Sequence, residues 1–430
     1  MLRWNVLRAY VTTATQAPPP APTTKPIVAY HLLITAALVF TIVVVGGITR
    51  LTESGLSITE WNPGPKGMRW PRSEEEWNVE WDKYKQSPEF TVLNQGMTLD
   101  DFKWIFMWEW SHRILGRFIG VFFVVPAAYF CVRRGMATAD VRWKLGAIAL
   151  GIGFQGFLGW YMVTSGLANP HENEREGDAW TPRVSHFRLA AHLGAAFAVY
   201  MGMLYTAVGI LRDAKLARAP ESVLALVQQL QYPKARRYRA VALGLLALVS
   251  TTAMYGAFVA GLDAGLVYSE FPMMGNGLLP PKDELLDPLY ALNAHSPDVT
   301  NPPPFSCLLM GNVTRNPVTV QAIHRYLGLT TLATMLVFLR YSKRLKGVLP
   351  AATPRFATGA VHMTVTQALL GIATLIYMVP ISLASLHQVG ALVVLSMMTG
   401  VAATLRRPSS ALQAWARART TAHAAAAIKV

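Results

Sequence analysis

Apolar runs of about twenty residues, the length that crosses a ~30 Å hydrocarbon core, alternate along the chain with polar stretches that carry most of the charge. The runs predict helices near 28–50, 109–132, 142–164, 187–211, 239–262, 322–341, 356–379 and 383–405. The chain therefore reads as an all-α polytopic membrane protein with eight transmembrane helices, and an even number of spans puts both termini on one side. Two connections, 51–108 and 263–321, are long and rich in Pro, Trp and acidic residues. Neither has the periodicity of a further span, but a short helix such as 74–85 suits the membrane surface.

Charge gives an independent test of this layout, because Lys and Arg concentrate in loops on the side from which insertion occurs. The N-terminus, the 2–3, 4–5 and 6–7 connections and the C-terminus are strongly basic and hold only three acidic residues, Asp140, Asp213 and Glu221, out of 24 in the chain. The orientation is N-in, C-in. Topology then accounts for the net charge of +15, and a nucleic-acid partner is not needed to explain it. Residues 1–27 contain Arg3, Arg8 and Lys25 and no acidic residue, which fits the remnant of an organellar presequence, although Pro18-Pro19-Pro20 also suits a flexible linker. Cys131, near the inner end of the second span, and Cys307, in an outer loop, lie on opposite sides, which argues against a disulfide between them.

The chain is internally duplicated. His112-Arg113-Ile114-Leu115-Gly116 returns 212 positions later as His324-Arg325-Tyr326-Leu327-Gly328, and Gln155-x-x-x-Gly159 returns at the same offset as Gln367-x-x-x-Gly371. Gly55-Leu56 with Glu60-Trp61 is answered by Gly265-Leu266 with Glu270-Phe271 at an offset of 210. The expected architecture is two parallel-repeat four-helix bundles, 28–212 and 239–405, joined by an inner linker at 213–238 and followed by a basic tail at 406–430.

Histidine is costly inside a bilayer and usually functional there. Four of the ten histidines, His112, His192, His324 and His387, fall near the outer ends of the second and fourth helix of each half. Two per half is the number needed to ligate one haem axially between facing helices of a bundle. Hydrogen bonding between helices is the plainer role for any one of them. A dinuclear metal centre lacks carboxylates in the second half, and a proton relay would spread across the membrane instead of clustering at one depth. Arg113 and Arg325, beside two of these histidines, suit haem propionates, with Arg50 and Arg117 assisting; interfacial snorkelling is the alternative for each. His31, His362, His171, His295, His423 and His186 are expected to be structural or at the surface.

The halves differ most sharply three residues before the repeated histidine, where Glu109 in the first half faces Gln321 in the second. Positions i and i+3 share a helix face, so Glu109 is expected to project toward whatever His112 ligates. A carboxylate there can act as a base, stabilise a developing cation or capture one, whereas an amide only hydrogen-bonds. Reaction chemistry is accordingly expected in the first half and electron relay in the second.

With these residues in view the chain resembles the haem A synthase family over nearly all of 28–405. The likeness rests on the run Gly46-Gly47-Ile48-Thr49-Arg50-Leu51-Thr52-Glu53-Ser54-Gly55-Leu56-Ser57, Glu109-x-x-His112-Arg113, Gln155-Gly156-x-x-Gly159-Trp160, His192, Gly261-Leu262-Asp263-Ala264-Gly265, His324-Arg325 and His387. The pieces at 88–90 and 97–99 look like the mitochondrial and alphaproteobacterial branch. The resemblance implies haem O as substrate and haem A as product at Glu109, His112 and His192, with a haem b cofactor on His324 and His387. It also implies oxidation of a ring methyl to a formyl group by successive hydroxylations, with oxygen from water. Haem O synthase and a ferredoxin-type electron carrier are the implied partners, membrane lipid the surroundings, and a homo-oligomer is left open. The implied location is the mitochondrial inner membrane with both termini in the matrix, or a bacterial plasma membrane with cytoplasmic termini. Some family members carry a cysteine pair in an outer loop of each half, and this chain does not. A di-haem b-type electron-transfer cytochrome and a haem transporter or chaperone remain competing readings.

Overall fold

A computed structural model describes residues 21–62, 64–168, 182–292 and 303–427. The expected N-terminal extension therefore lies largely outside the described residues, as do His171 and His295. The helices in chain order are α1 (Pro26–Leu51), α2 (Glu74–Lys85), α3 (Pro88–Val92), α4 (Leu99–Val132), α5 (Ala139–Gly166), α6 (His186–Leu216), α7 (Pro220–Gln231), α8 (Pro233–Gly261), α9 (Lys282–Leu285), α10 (Phe305–Arg315), α11 (Pro317–Arg344), α12 (Ala352–Ile376), α13 (Ile381–Thr404) and α14 (Ser410–Ala427). Eight of them, α1, α4, α5, α6, α8, α11, α12 and α13, are long and apolar enough to cross a membrane, and the chain is a multi-pass membrane protein.

Proline at the first turn opens α1, α8 and α11, where its missing N–H costs nothing. α4 begins ten residues before its apolar run predicts. Thr98 and Asp101 form a capping box at its start, and the added turns carry Phe102, Ile105 and Phe106 into an aromatic cluster with Tyr84, Trp70, Trp77 and Trp81. This cluster is the core of a cap, separate from the core of the bundle. The linker and the tail each contain a helix. α7 and α14 pack against each other through Val223, Leu412 and Ala416.

In the first half α1 packs on α4, α4 on α5, α5 on α6 and α6 back on α1; in the second, α8, α11, α12 and α13 close a ring in the same order. Across the halves α6 meets α8 and α13 meets α1, an exchanged pair, while α1 meets α8 and α6 meets α13, each against its own counterpart. A two-fold relation between parallel repeats produces this pattern.

Lipid is as apolar as a leucine side chain, so contacts between spans depend on close approach and hydrogen bonds. A Cβ on Gly47 would lie 1.7 Å from Gln388 Oε1, and Gln388 Nε2 donates to the Val43 carbonyl at 2.9 Å. The Tyr200 and Ser396 hydroxyls meet at 2.7 Å. Arg50 crosses from α1 to the end of α8, donating to the carbonyls of Ala260 and Gly261 at 3.1 and 3.2 Å and to Asp263 at 3.2 Å. The turns after α1 and α8 use a left-handed residue at matching positions, Glu53 with φ 51° and Asp263 with φ 49°. The duplication thus extends to backbone conformation.

Candidate functional site

Each helix ring brings its two candidate ligands together across a diagonal. His112 on α4 faces His192 on α6 with ring centroids 6.4 Å apart, and His324 on α11 faces His387 on α13, also at 6.4 Å. The remaining two helices of each ring present a glycine to these rings. A Cβ on Gly46 would lie 3.0 Å from His112 Nε2, and one on Gly256, its counterpart, 3.2 Å from His324 Cε1. A Cβ on Gly159 would lie 3.8 Å from His192 Cε1, and one on Gly371, its counterpart, 2.8 Å from His387 Cε1. Four glycines in repeated positions make room for four histidines in repeated positions.

The four histidines line one cavity of ≈ 1110 Å³ that runs through both halves. Ligand pockets commonly enclose roughly 300–1,000 Å³, so this one suits large, flat guests. Among the described residues no group of three or more His, Cys, Asp or Glu could hold a bare metal ion. Pairs of facing imidazoles instead suit a metal whose other ligands come from a macrocycle. With a metal–nitrogen length of about 2.0 Å and roughly 1.1 Å from ring nitrogen to ring centre, two axial imidazoles have centres about 6.2 Å apart, close to the 6.4 Å seen in both halves. His192 Nδ1 and His324 Nδ1 are buried with no hydrogen-bond partner. His387 Nδ1 lies 3.0 Å from the Gln367 amide, which orients that ring. The residues present fit haem.

Glu109 lines the same cavity, with 3% of its surface exposed. Its Oε2 accepts from the Ser57 hydroxyl and the Ile58 amide, both at 2.7 Å. Its Oε1 accepts from Arg113 Nη2 at 2.6 Å and Nε at 3.1 Å. The second half repeats this frame with its chemistry altered. Arg113 Nη2 and Nη1 donate to the Ile58 and Glu60 carbonyls at 2.8 and 2.9 Å, and Arg325 makes the same bonds to Tyr268 and Glu270 at 2.5 and 2.8 Å. Gln321 donates to the Tyr268 carbonyl at 2.9 Å, while its Oε1 is buried without a partner. Ser57 is matched by Val267, which offers no donor. The asymmetry is therefore a pair of differences, Glu109 with Ser57 against Gln321 with Val267. The serine is visible in the sequence only as part of the duplicated turn.

The expected anion-binding arginines separate into two kinds. Arg113 is fully engaged by Glu109 and backbone carbonyls, and Arg50 by the α8 terminus and Asp263. Arg117 donates to the Asn62 carbonyl at 2.7 Å but keeps Nη1 buried and unpartnered, and Arg325 keeps Nε buried and unpartnered. These two, one per half and both lining the cavity, have capacity left for a carboxylate guest. His31 is packed among Phe122, Phe123 and Phe130, and His186 against Phe187 and Phe258, as expected of structural histidines.

An eight-span bundle with two buried histidine pairs in one cavity defines a multi-pass membrane protein with an enclosed site for a large guest. The family model described as "Cytochrome oxidase assembly protein", COX15-CtaA, matches residues 29–399, and the chain belongs to that family. It is similar to "Heme A synthase COX15" of Saccharomyces cerevisiae, with 43% identity over 386 residues, covering 90% of this chain and 76% of that protein. "Heme A synthase" of Rhodospirillum centenum is 39% identical over 393 residues, 90% of either chain. The "Heme A synthase-mitochondrial ferredoxin fusion protein" of Schizosaccharomyces pombe is 42% identical over 392 residues, and this chain spans 61% of its length.

Proposed function

We propose that the protein is a haem A synthase that takes haem O in its first half and oxidises a ring methyl to a formyl group, with a haem b in the second half passing electrons away. The observation that carries the reading is the paired asymmetry inside an otherwise duplicated site: a carboxylate fixed by Ser57, Ile58 and Arg113 in one half, and an amide beside a valine in the other.

His112 and His192 would hold the substrate haem, and His324 and His387 the haem b, whose contribution is one-electron transfer. Arg117 and Arg325 have free N–H groups to hold propionates. Each hydroxylation with oxygen from water adds that oxygen to the methyl carbon and releases two protons and two electrons; a second round gives a gem-diol, which loses water to leave the aldehyde. Positive charge develops at the carbon as electrons leave. Glu109, its position set by donors on both oxygens, supplies fixed negative charge beside it without having to reorganise. The fusion of a relative to ferredoxin supports a ferredoxin-type electron partner. The basic inner segments support placing both termini on the matrix or cytoplasmic side.

The test is conversion of supplied haem O by membranes containing the full chain, followed by chromatography of the extracted haems. Haem A in the wild type and its loss in Glu109→Gln support the reading. A di-haem electron carrier or haem transporter would leave haem O unchanged in both.

A further inference from the structure

The outer cap contains a second carboxyl group that the proposed mechanism leaves unused. Glu89, on α3, is 5% exposed, and it lines the outer end of the first-half cavity with Leu93 and Asn94. Its Oε2 is buried with no hydrogen-bond partner. The Tyr84 hydroxyl, which accepts from Asn94 Nδ2 at 2.8 Å, interacts with the carboxyl. Tyr84 is fully buried in the aromatic cluster, so this orientation is fixed by packing.

The second half has nothing equivalent among the described residues. The fully buried polar groups of its outer cap are the amides of Asn312 and Asn316, which do not titrate and whose bonds are made within the cap. Asn312 Oδ1 accepts from the Asp287 amide and from Asn316, its Nδ2 donates to the Asp287 and Leu308 carbonyls, and Asn316 Nδ2 also donates to the Glu284 carbonyl. Among the described residues, an unsatisfied buried carboxyl oxygen therefore occurs only in the half that carries Glu109, where the proposed oxidation sets protons free. Glu109 itself is poorly placed to carry them, because both of its oxygens are held by donors.

We infer that Glu89 is the proton acceptor of the first-half site, taking the proton released as water adds to the substrate carbon and handing it to solvent at the outer face. This rests on the haem A synthase reading. Each hydroxylation breaks one methyl C–H bond and one O–H bond of the attacking water and forms one C–O bond; Glu89 takes the two protons in turn, each forming an O–H bond on its carboxylate and passing to solvent before the next arrives. The two electrons of each hydroxylation go separately to the one-electron carrier. Burial pushes the Glu89 carboxyl up to about 8, helped by the charges of Glu109 on α4 and Glu53 after α1 and opposed by the hydrogen bond from Tyr84 on α2. A base whose affinity lies near the ambient pH both takes up and gives back a proton efficiently.

The experiment measures haem A formed per bound haem in membranes containing the full chain and a supply of haem O, between about pH 6 and about pH 9. Conversion by the wild type is scored first, and its absence defeats the haem A synthase reading itself, independently of Glu89. The wild-type rate is expected to rise with pH through a midpoint near 8 as the acceptor ionises. Glu89→Gln is expected to lose about tenfold or more in rate and to lose the rise, while retaining the wild-type complement of haem. Tyr84→Phe removes only the hydroxyl that holds Glu89 down and should move the rise to higher pH. An unchanged pH profile in Glu89→Gln, or haem lost in proportion to rate, overturns the inference. If Glu89→Gln does not accumulate, Tyr84→Phe decides, and an unshifted rise overturns it.

Discussion

The most exacting consequence of the site geometry concerns Gly371. A methyl group there would lie 2.8 Å from His387 Cε1 and 3.4 Å from Nδ1, whereas carbon atoms at their optimum are about 3.5–4.0 Å apart. The imidazole must therefore retreat by about 0.7 Å or more to restore an ordinary contact. Overpacking of this kind costs about 1–3 kcal/mol. If that cost falls on the ligand-bound geometry, haem affinity drops by roughly 5- to 150-fold at 1.4 kcal/mol per decade. Gly244→Ala is the control. It lies on α8 and does not line the cavity, nothing stands within 4 Å of its added Cβ, and alanine favours a helix by about 1 kcal/mol over glycine. The series should be graded, with Gly371→Ala worst, Gly46→Ala and Gly256→Ala intermediate at 3.0 and 3.2 Å, and Gly159→Ala mild at 3.8 Å. Titrating haem into purified chain and following the absorbance of the haem in each half gives the affinities. If Gly371→Ala binds both haems as tightly as Gly244→Ala, His387 does not hold haem in the position described.

Two further outcomes follow from the first-half site and its cap. Ser57→Ala removes one donor from the Glu109 carboxylate, a loss of about 1–3 kcal/mol for a hydrogen bond to a charged group. Haem A formation should fall about tenfold at unchanged haem content, and equal rates in the two chains would contradict the role given to Ser57. The cap should also loosen as pH rises. Glu89 holds its proton to about 8 in the folded chain, against 4.5 when free. Within that window the folded state binds more protons, and stability falls by up to about 1.4 kcal/mol per pH unit. Limited proteolysis of the 51–98 connection measures this, with Glu89→Gln expected to be flat where the wild type becomes more susceptible.

Much of this arrangement is legible in the sequence, because a membrane imposes strong rules on composition. Apolar runs locate all eight spans, and the repeated His-Arg string locates two of the four candidate ligands, since a histidine is too costly inside a bilayer to recur at duplicated positions without a use. The start of α4 is hidden because Asp100, Asp101 and Lys103 break the hydropathy while Phe102 and Phe106 pack into a separate aromatic cluster. α7 and α14 are hidden for a related reason: their apolar faces are short and cover each other. The partners of Gly46 and Gly256 cannot be read from one strand of sequence, because which helix faces which histidine depends on how each ring closes. The sequence offers Arg50 as an assisting residue, and its guanidinium also joins the halves through Asp263, a contact over 213 positions that no local pattern announces. Glu109 is legible as a departure from the repeat, but the fixing of its carboxylate by Ser57 becomes visible only once the turn after α1 is folded against α4.

In the proposed division of labour the first half carries out chemistry while the second relays electrons, and Glu109 makes the difference. Its direct measurement is the haem composition of membranes supplied with haem O, for the wild type, Glu109→Gln and Gln321→Glu. Haem A is expected in the wild type, with a fall of about a hundredfold or more in Glu109→Gln while both haems stay bound, and near-normal haem A in Gln321→Glu. Undiminished haem A formation by Glu109→Gln would contradict that division.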